Sequence, residues 1–95
     1  MKHHILVKWN DKVTDRKKIQ NDVEKLFAPL TEIPGIQQVE VIPNIVDRPN
    51  RYDLLIRITM QEAVLPHYDD SAIHKRWKAE YGDRIQSKAI FDSYE

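Results

Sequence analysis

Apolar residues recur along this chain at two periods, and the switches between the periods mark its elements. Tyr52, Leu54, Ile56, Ile58 and Met60 alternate with Asp53, Leu55, Arg57 and Thr59. This predicts a strand with one wholly apolar face and a second face on which Leu55 stands among polar residues. The same asymmetry runs from His3 to Trp9, where His3, Ile5, Val7 and Trp9 share one face and His4, Leu6 and Lys8 the other. Ile36 to Ile42 reads as a further strand, with Val39 and Val41 on one side and Ile36, Gln38, Glu40 and Ile42 on the other. Its mixed faces and the Pro43 beyond it suit a sheet edge. Asp83 opens a last strand in which Ile85, Ala89 and Phe91 alternate with Gln86, Lys88 and Asp92.

Between the strands the period lengthens. Ile19, Val23, Leu26, Phe27 and Leu30 form one helical stripe, opened by Thr14 as N-cap with Asp15 in an acidic first turn. Pro29 lacks the N–H that would bond to the carbonyl of Lys25, which predicts a bend or an early end. Farther on, Gln61 to Leu65 reads as a short helical turn halted by Pro66. Ser71 then caps a helix with the stripe Ile73, Trp77 and Tyr81, and Gly82 is expected to end it as a left-handed cap.

The order β-α-β-β-α-β is the ferredoxin-like α+β arrangement, a four-stranded antiparallel sheet with both helices on one face, here as one domain over residues 1–95. The opposite face is left bare. Leu6, Leu55 and one side of the last strand make it partly apolar, so a second copy is the expected cover, giving a twofold homodimer with the sheets face to face.

Charge removes one class of partner. Lys+Arg 15 against Asp+Glu 15 leaves a formal net charge of zero, and no basic run exceeds Arg16-Lys17-Lys18. The open face of the third strand also lacks stacking aromatics, so nucleic acid is not expected. The chain has no cysteine, which excludes a disulfide frame, a thiolate metal site and a cysteine nucleophile. No apolar run reaches signal-peptide or membrane-spanning length, so a cytoplasmic protein with no membrane partner is the expectation. Phosphate-loop, dinucleotide and nucleophile-elbow motifs are missing too, and no cofactor is expected.

The candidate chemistry lies around the second long helix. His74 would occupy its third position, six residues after Tyr68. A histidine there can take a proton from an acidic carbon or hydroxyl, while a tyrosine hydrogen-bonds the carbonyl oxygen on which charge develops. The plainer reading makes both residues aromatic wall, their polar tips bonded to nearby backbone. His3 is a third candidate, although a histidine near a terminus is more often a strand-edge residue. His67, His74, Asp69 and Asp70 have no recognised metal-ligand spacing. Trp9 and Trp77 fit a core better than a sandwich for a flat ligand.

Several of these features fall in a familiar order. Lys2-His3 leads into a strand ending at Trp9, Asp11 and Thr14 precede the first helix, and Ile33-Pro34-Gly35-Ile36 precedes the second strand. Tyr52-Asp53 opens the third strand, Tyr68 precedes His74, and Phe91-Asp92 closes the chain. Together they cover almost the whole sequence, which resembles the stress-responsive A/B barrel, or Dabb, family of dimeric α+β barrels. The resemblance implies one of two roles, cyclisation of polyketide chains in a cavity between sheet and helices or a stress-linked function based on oligomer assembly. Related barrels act as cofactor-free monooxygenases. In the cyclase branch the cavity is lined by histidines on the first and third strands, a tyrosine before the second long helix and a histidine in its first turn. His3, Tyr68 and His74 match by position. Leu54 stands in place of the third-strand histidine, which removes a polar group, and Ser71-Ala72 replaces a usual His-Pro.

Overall fold

Two strands with a shared apolar face form the centre of the molecule. In the computed structural model, which describes residues 1–95, β1 (Lys2–Trp9) and β3 (Leu54–Met60) pair antiparallel, with Ile5 opposite Ile56 and Val7 opposite Leu54. Two further antiparallel strands, β2 (Ile36–Pro43) and β4 (Ile85–Ser93), flank them in the order β2-β3-β1-β4. The helices α1 (Arg16–Phe27), α2 (Leu65–Asp69) and α3 (Ala72–Tyr81) contribute to a single core with the buried face of this sheet. Fold and element order are therefore those that the hydrophobic pattern predicts.

The core forms because both periods deliver their apolar residues to the same layer. Ile19, Val23, Leu26 and Phe27 from α1, with Trp77 and Tyr81 from α3, are buried against Ile5, Val7, Ile56 and Ile58. Phe27 and Trp9 both meet Trp77 edge-on, with centroids 5.3 and 6.2 Å away. Both tryptophans are core residues, as expected. Helix α1 stops at Phe27, and a 3-10 turn over Ala28–Glu32 carries Pro29 near its start, where a missing N–H leaves no bond unmade. The early end predicted from Pro29 is thus present.

Local details differ from the sequence reading, each for a physical reason. The N-cap of α1 is Asp15, whose carboxylate accepts from Lys18 N at 3.0 Å, so Thr14 lies outside the helix. Pro66 does not halt the Gln61 turn. That turn is 3-10 over Glu62–Val64, and Pro66 lies in the first turn of α2, where proline is tolerated. Gly82 is right-handed, at φ −55°, and continues into a 3-10 turn over Gly82–Arg84, so β4 begins at Ile85 rather than Asp83. Arg84 explains why no left-handed cap is needed: its guanidinium donates to the carbonyl of Glu80 at 2.8 Å and lies 4.5 Å over the Tyr81 ring. The glycine with a left-handed backbone is Gly35, at φ 94°, where an added Cβ would also collide with Val64.

Two strand irregularities reassign faces. A register shift between Ile36 and Gln38 pairs Ile36 with Met60, so Ile36 joins the buried face with Val39 and Val41 instead of opposing them. A second shift, where Trp9 pairs with Ile85 and Lys8 with Ser87, puts Ile85 against the core. Ala89 and Phe91 then stand opposite Leu6 and His4 on the bare face.

Candidate functional site

The three predicted site residues come from three elements and meet at one end of the sheet. Position 3 of β1 points into the core, which buries His3 to 6% exposure. The short α2 holds Tyr68 beneath it, fully buried, with the two rings 5.4 Å apart between centroids. His74, in the first turn of α3, packs on Tyr68 at 4.8 Å. Tyr68 is thus flanked by two imidazoles.

Ser71 links the last two. Its hydroxyl donates to the Tyr68 carbonyl at 2.7 Å and accepts from His74 N at 3.1 Å, so one side chain ends α2 and caps α3. His74 Nδ1 donates to the Asp69 carbonyl at 2.9 Å. A carbonyl can only accept, so the neutral ring carries its proton on Nδ1 and its lone pair on Nε2. This ties the half-buried His74 ring back over the helix start, toward the Tyr68 segment.

His3 is not a loose strand-edge residue. Its Cα partner on β4 is Asp92, and Nδ1 lies 2.5 Å from Asp92 Oδ1. The Asp92 side chain is 41% exposed, so the pair runs from the core to the surface. Asp92 is the member of this cluster that the sequence reading does not single out. The available signal was the terminal Phe91-Asp92 together with the antiparallel pairing of first and last strands in this topology.

The hydroxyl of Tyr68 is the one buried side-chain polar atom with no hydrogen-bond partner. Burial pushes its phenol well above the ordinary value, and Asp69 nearby adds to the shift, so the group is a proton donor across the neutral range. Two features depart from the expected cavity. None of the four hollows in the surface has Tyr68 or His74 in its wall, because the aromatic rings fill that space. Leu54 lies at the far end of β3 from His3, whose Cα partner is Ile58. A histidine at position 54 would stand opposite Val7, toward the other end of β1 from His3. A hollow of about 170 Å³ does reach Asp92, between Met1, Glu62, Ser93 and Tyr94.

The bare face of the sheet is organised differently. Leu6, Ile42, Leu55, Ala89 and Phe91 are its apolar members, with Phe91 64% exposed. Three of its polar members are paired within the chain: Arg57 donates to both carboxylate oxygens of Glu40 at 2.9 and 2.8 Å, Lys8 Nζ donates to the Arg51 carbonyl and His4 Nδ1 to the Phe91 carbonyl. The Arg57 bond holds the Glu40 carboxyl below its ordinary value.

No protein-family model matches this sequence, and no curated protein matches it. Solved structures do match the fold. A dimeric protein of unknown function with a ferredoxin-like fold from Bacteroides fragilis superposes with a TM-score of 0.76 at 19% identity, over 97% of this chain and 92% of that one. A Dabb family protein with a ferredoxin-like fold from Mesorhizobium loti gives 0.73 at 15% identity, over 99% and 94%. A hydroxynitrile lyase from Passiflora edulis gives 0.74 at 12% identity, over 95% and 87%. At these identities the likeness is one of fold: the chain folds as a Dabb-like, ferredoxin-like domain.

Proposed function

We propose that this protein is a homodimer, joined through the bare sheet face, that binds a small carbonyl compound between the sheet and α3. In this reading Tyr68 donates to the carbonyl oxygen and His74 Nε2 removes a proton from the adjacent carbon, without a cofactor. Asp92 orients His3 from behind, since a carboxylate on Nδ1–H fixes the tautomer of the ring. The observation that carries the reading is the Tyr68 hydroxyl, buried with no partner on a ring flanked by two imidazoles. Leaving a hydroxyl in that state costs about 1–3 kcal/mol, which a ligand oxygen in reach would recover. Ligand entry requires α2, a five-residue helix, to move away from the sheet. Polyketide-like chains suit the site chemically, because their methylene protons are acidic and their carbonyls accept.

A second reading is favoured by the internal pairing of Arg57, Lys8 and His4 on the bare face. Groups that already have partners lose less when water is removed from the face, as an assembly protein requires. The two readings separate by experiment. The protein is titrated with a panel of linear β-polyketones, with the histidine and tyrosine resonances observed by NMR and cyclised product measured by chromatography. Shifts confined to His3, Tyr68 and His74, and a 10²- to 10⁴-fold loss of turnover in His74→Ala, are expected. Unshifted spectra across the panel, with no product, would leave assembly as the function.

A further inference from the structure

An apolar side chain stands in water at the rim of an apolar hollow. The hollow, about 250 Å³, lies at one end of the bare face and is lined by Leu6, Ile42, Tyr52, Leu54 and Leu55, with Pro43 and Asn44 at its border. The next residue, Ile45, is 96% exposed. Single exposed isoleucines are common, but this one is held in place. Asn44 Oδ1 accepts from Val46 N at 2.9 Å, Asn44 Nδ2 donates to the Tyr52 carbonyl at 2.9 Å, and Asn44 N donates to the Asp53 carbonyl at 3.0 Å. On the other flank Arg16 reaches Asp47 at 3.4 Å. The loop is therefore a built turn that presents Ile45 outward instead of folding it back.

We propose that in the twofold dimer Ile45 of each protomer fills this hollow in its partner. The inference rests on the dimer reading above. A twofold interface must be self-complementary, so a projection on one patch needs its matching recess on that same patch. Ile45 and the hollow are adjacent on one surface, the arrangement that an axis passing between them satisfies twice. The size of the hollow points the same way, since it falls below the roughly 300–1,000 Å³ of sites for free ligands and suits one branched side chain. Its wall is apolar apart from the side chains of Asn44 and Tyr52, and Asn44 is already bonded.

The absence of cysteine from the chain makes the test direct. Two single variants, Ile45→Cys and Ile42→Cys, are purified separately, mixed and oxidised, so that any disulfide between positions 45 and 42 joins two chains. A dominant 45–42 cross-link is expected. Cross-links only between two copies of position 45, or none, in a protein that sediments as a dimer would overturn the inference and leave the dimer standing. Sedimentation of the unmodified protein as a monomer would overturn both. Ile45→Asp should weaken the dimer on the order of 10²-fold or more, since two buried isoleucines are lost per dimer. Unchanged dissociation in Ile45→Asp would equally overturn it.

Discussion

His3 and Asp92 stand directly opposite each other on adjacent strands, and the imidazole meets the carboxylate at 2.5 Å although 89 positions separate them in the chain. The pairing of β1 with β4 creates this contact, so it depends on the complete sheet. Asp92→Ala leaves His3 Nδ1–H in the core without an acceptor, which should destabilise the protein by about 1–3 kcal/mol. Asp92→Asn keeps an acceptor oxygen and should lose less. Urea unfolding of the two variants compares them, and unchanged stability in Asp92→Ala would show that the bond contributes nothing to the fold.

Ser71 is a second joint in the site, since its one hydroxyl serves Tyr68 and His74 together. Ser71→Ala removes the cap of α3, which should cost about 1 kcal/mol. Ser71→Asp restores an acceptor for His74 N but cannot donate to the Tyr68 carbonyl. It should regain most of the stability while the NMR signals of the Tyr68 ring stay displaced from their positions in the unmodified protein.

How far the sequence was legible differs between fold and site. Strands and helices followed from alternation and from the Ile19–Leu30 stripe because burial on one face forces those periods. The faces of Ile36 and Ile85 did not follow, since each strand inserts one unpaired residue, and a pattern of period two cannot show where the insertion falls. Gly82 misled because the usual reason for glycine after a helix is a left-handed cap, whereas here Arg84 supplies the donor. In the site, His3, Tyr68 and His74 were legible by residue type and position. The Asp92 contact was not, because it exists only once the first and last strands are side by side. The filled space around Tyr68 was equally hidden, as it depends on how three aromatic rings pack.

Leu55 tests the sheet interface. It lies on the bare face opposite Leu6, half-buried in the single chain. In a face-to-face dimer Leu55→Asp buries a carboxylate among Leu6, Ile42 and the partner's surface, which should cost about 3–5 kcal/mol of association and give monomers at micromolar concentration. The fold itself should survive, because Leu55 is outside the helix-side core. Sedimentation together with far-UV circular dichroism reads both. A variant that remains dimeric would place the interface elsewhere.

Tyr68→Phe tests the residue on which the functional reading depends. Removing a buried hydroxyl that has no partner deletes a desolvation penalty while keeping the ring, so the variant should be more stable by about 1 kcal/mol. Loss of stability would show that the hydroxyl is satisfied in solution, and the reason for placing a ligand there would go with it. Alkaline pH supplies an independent check. Folding raises the Tyr68 phenol above the value of about 10 expected in the unfolded chain, chiefly through burial. Below that value both states hold the proton and the neutral phenol has no effect on the slope. Above it the unfolded chain releases the proton first, so stability falls as pH rises, by up to about 1.4 kcal/mol per pH unit for one full proton. Burial raises Tyr81 in the same direction, so the unmodified protein should lose stability above pH about 10 through both groups. Tyr68→Phe should show the shallower decline left by the others. A variant with the stability gain and the shallower decline that also loses β-polyketone binding roughly tenfold would tie the unpartnered hydroxyl to function, because the group that weakens the fold would be the one that holds the ligand.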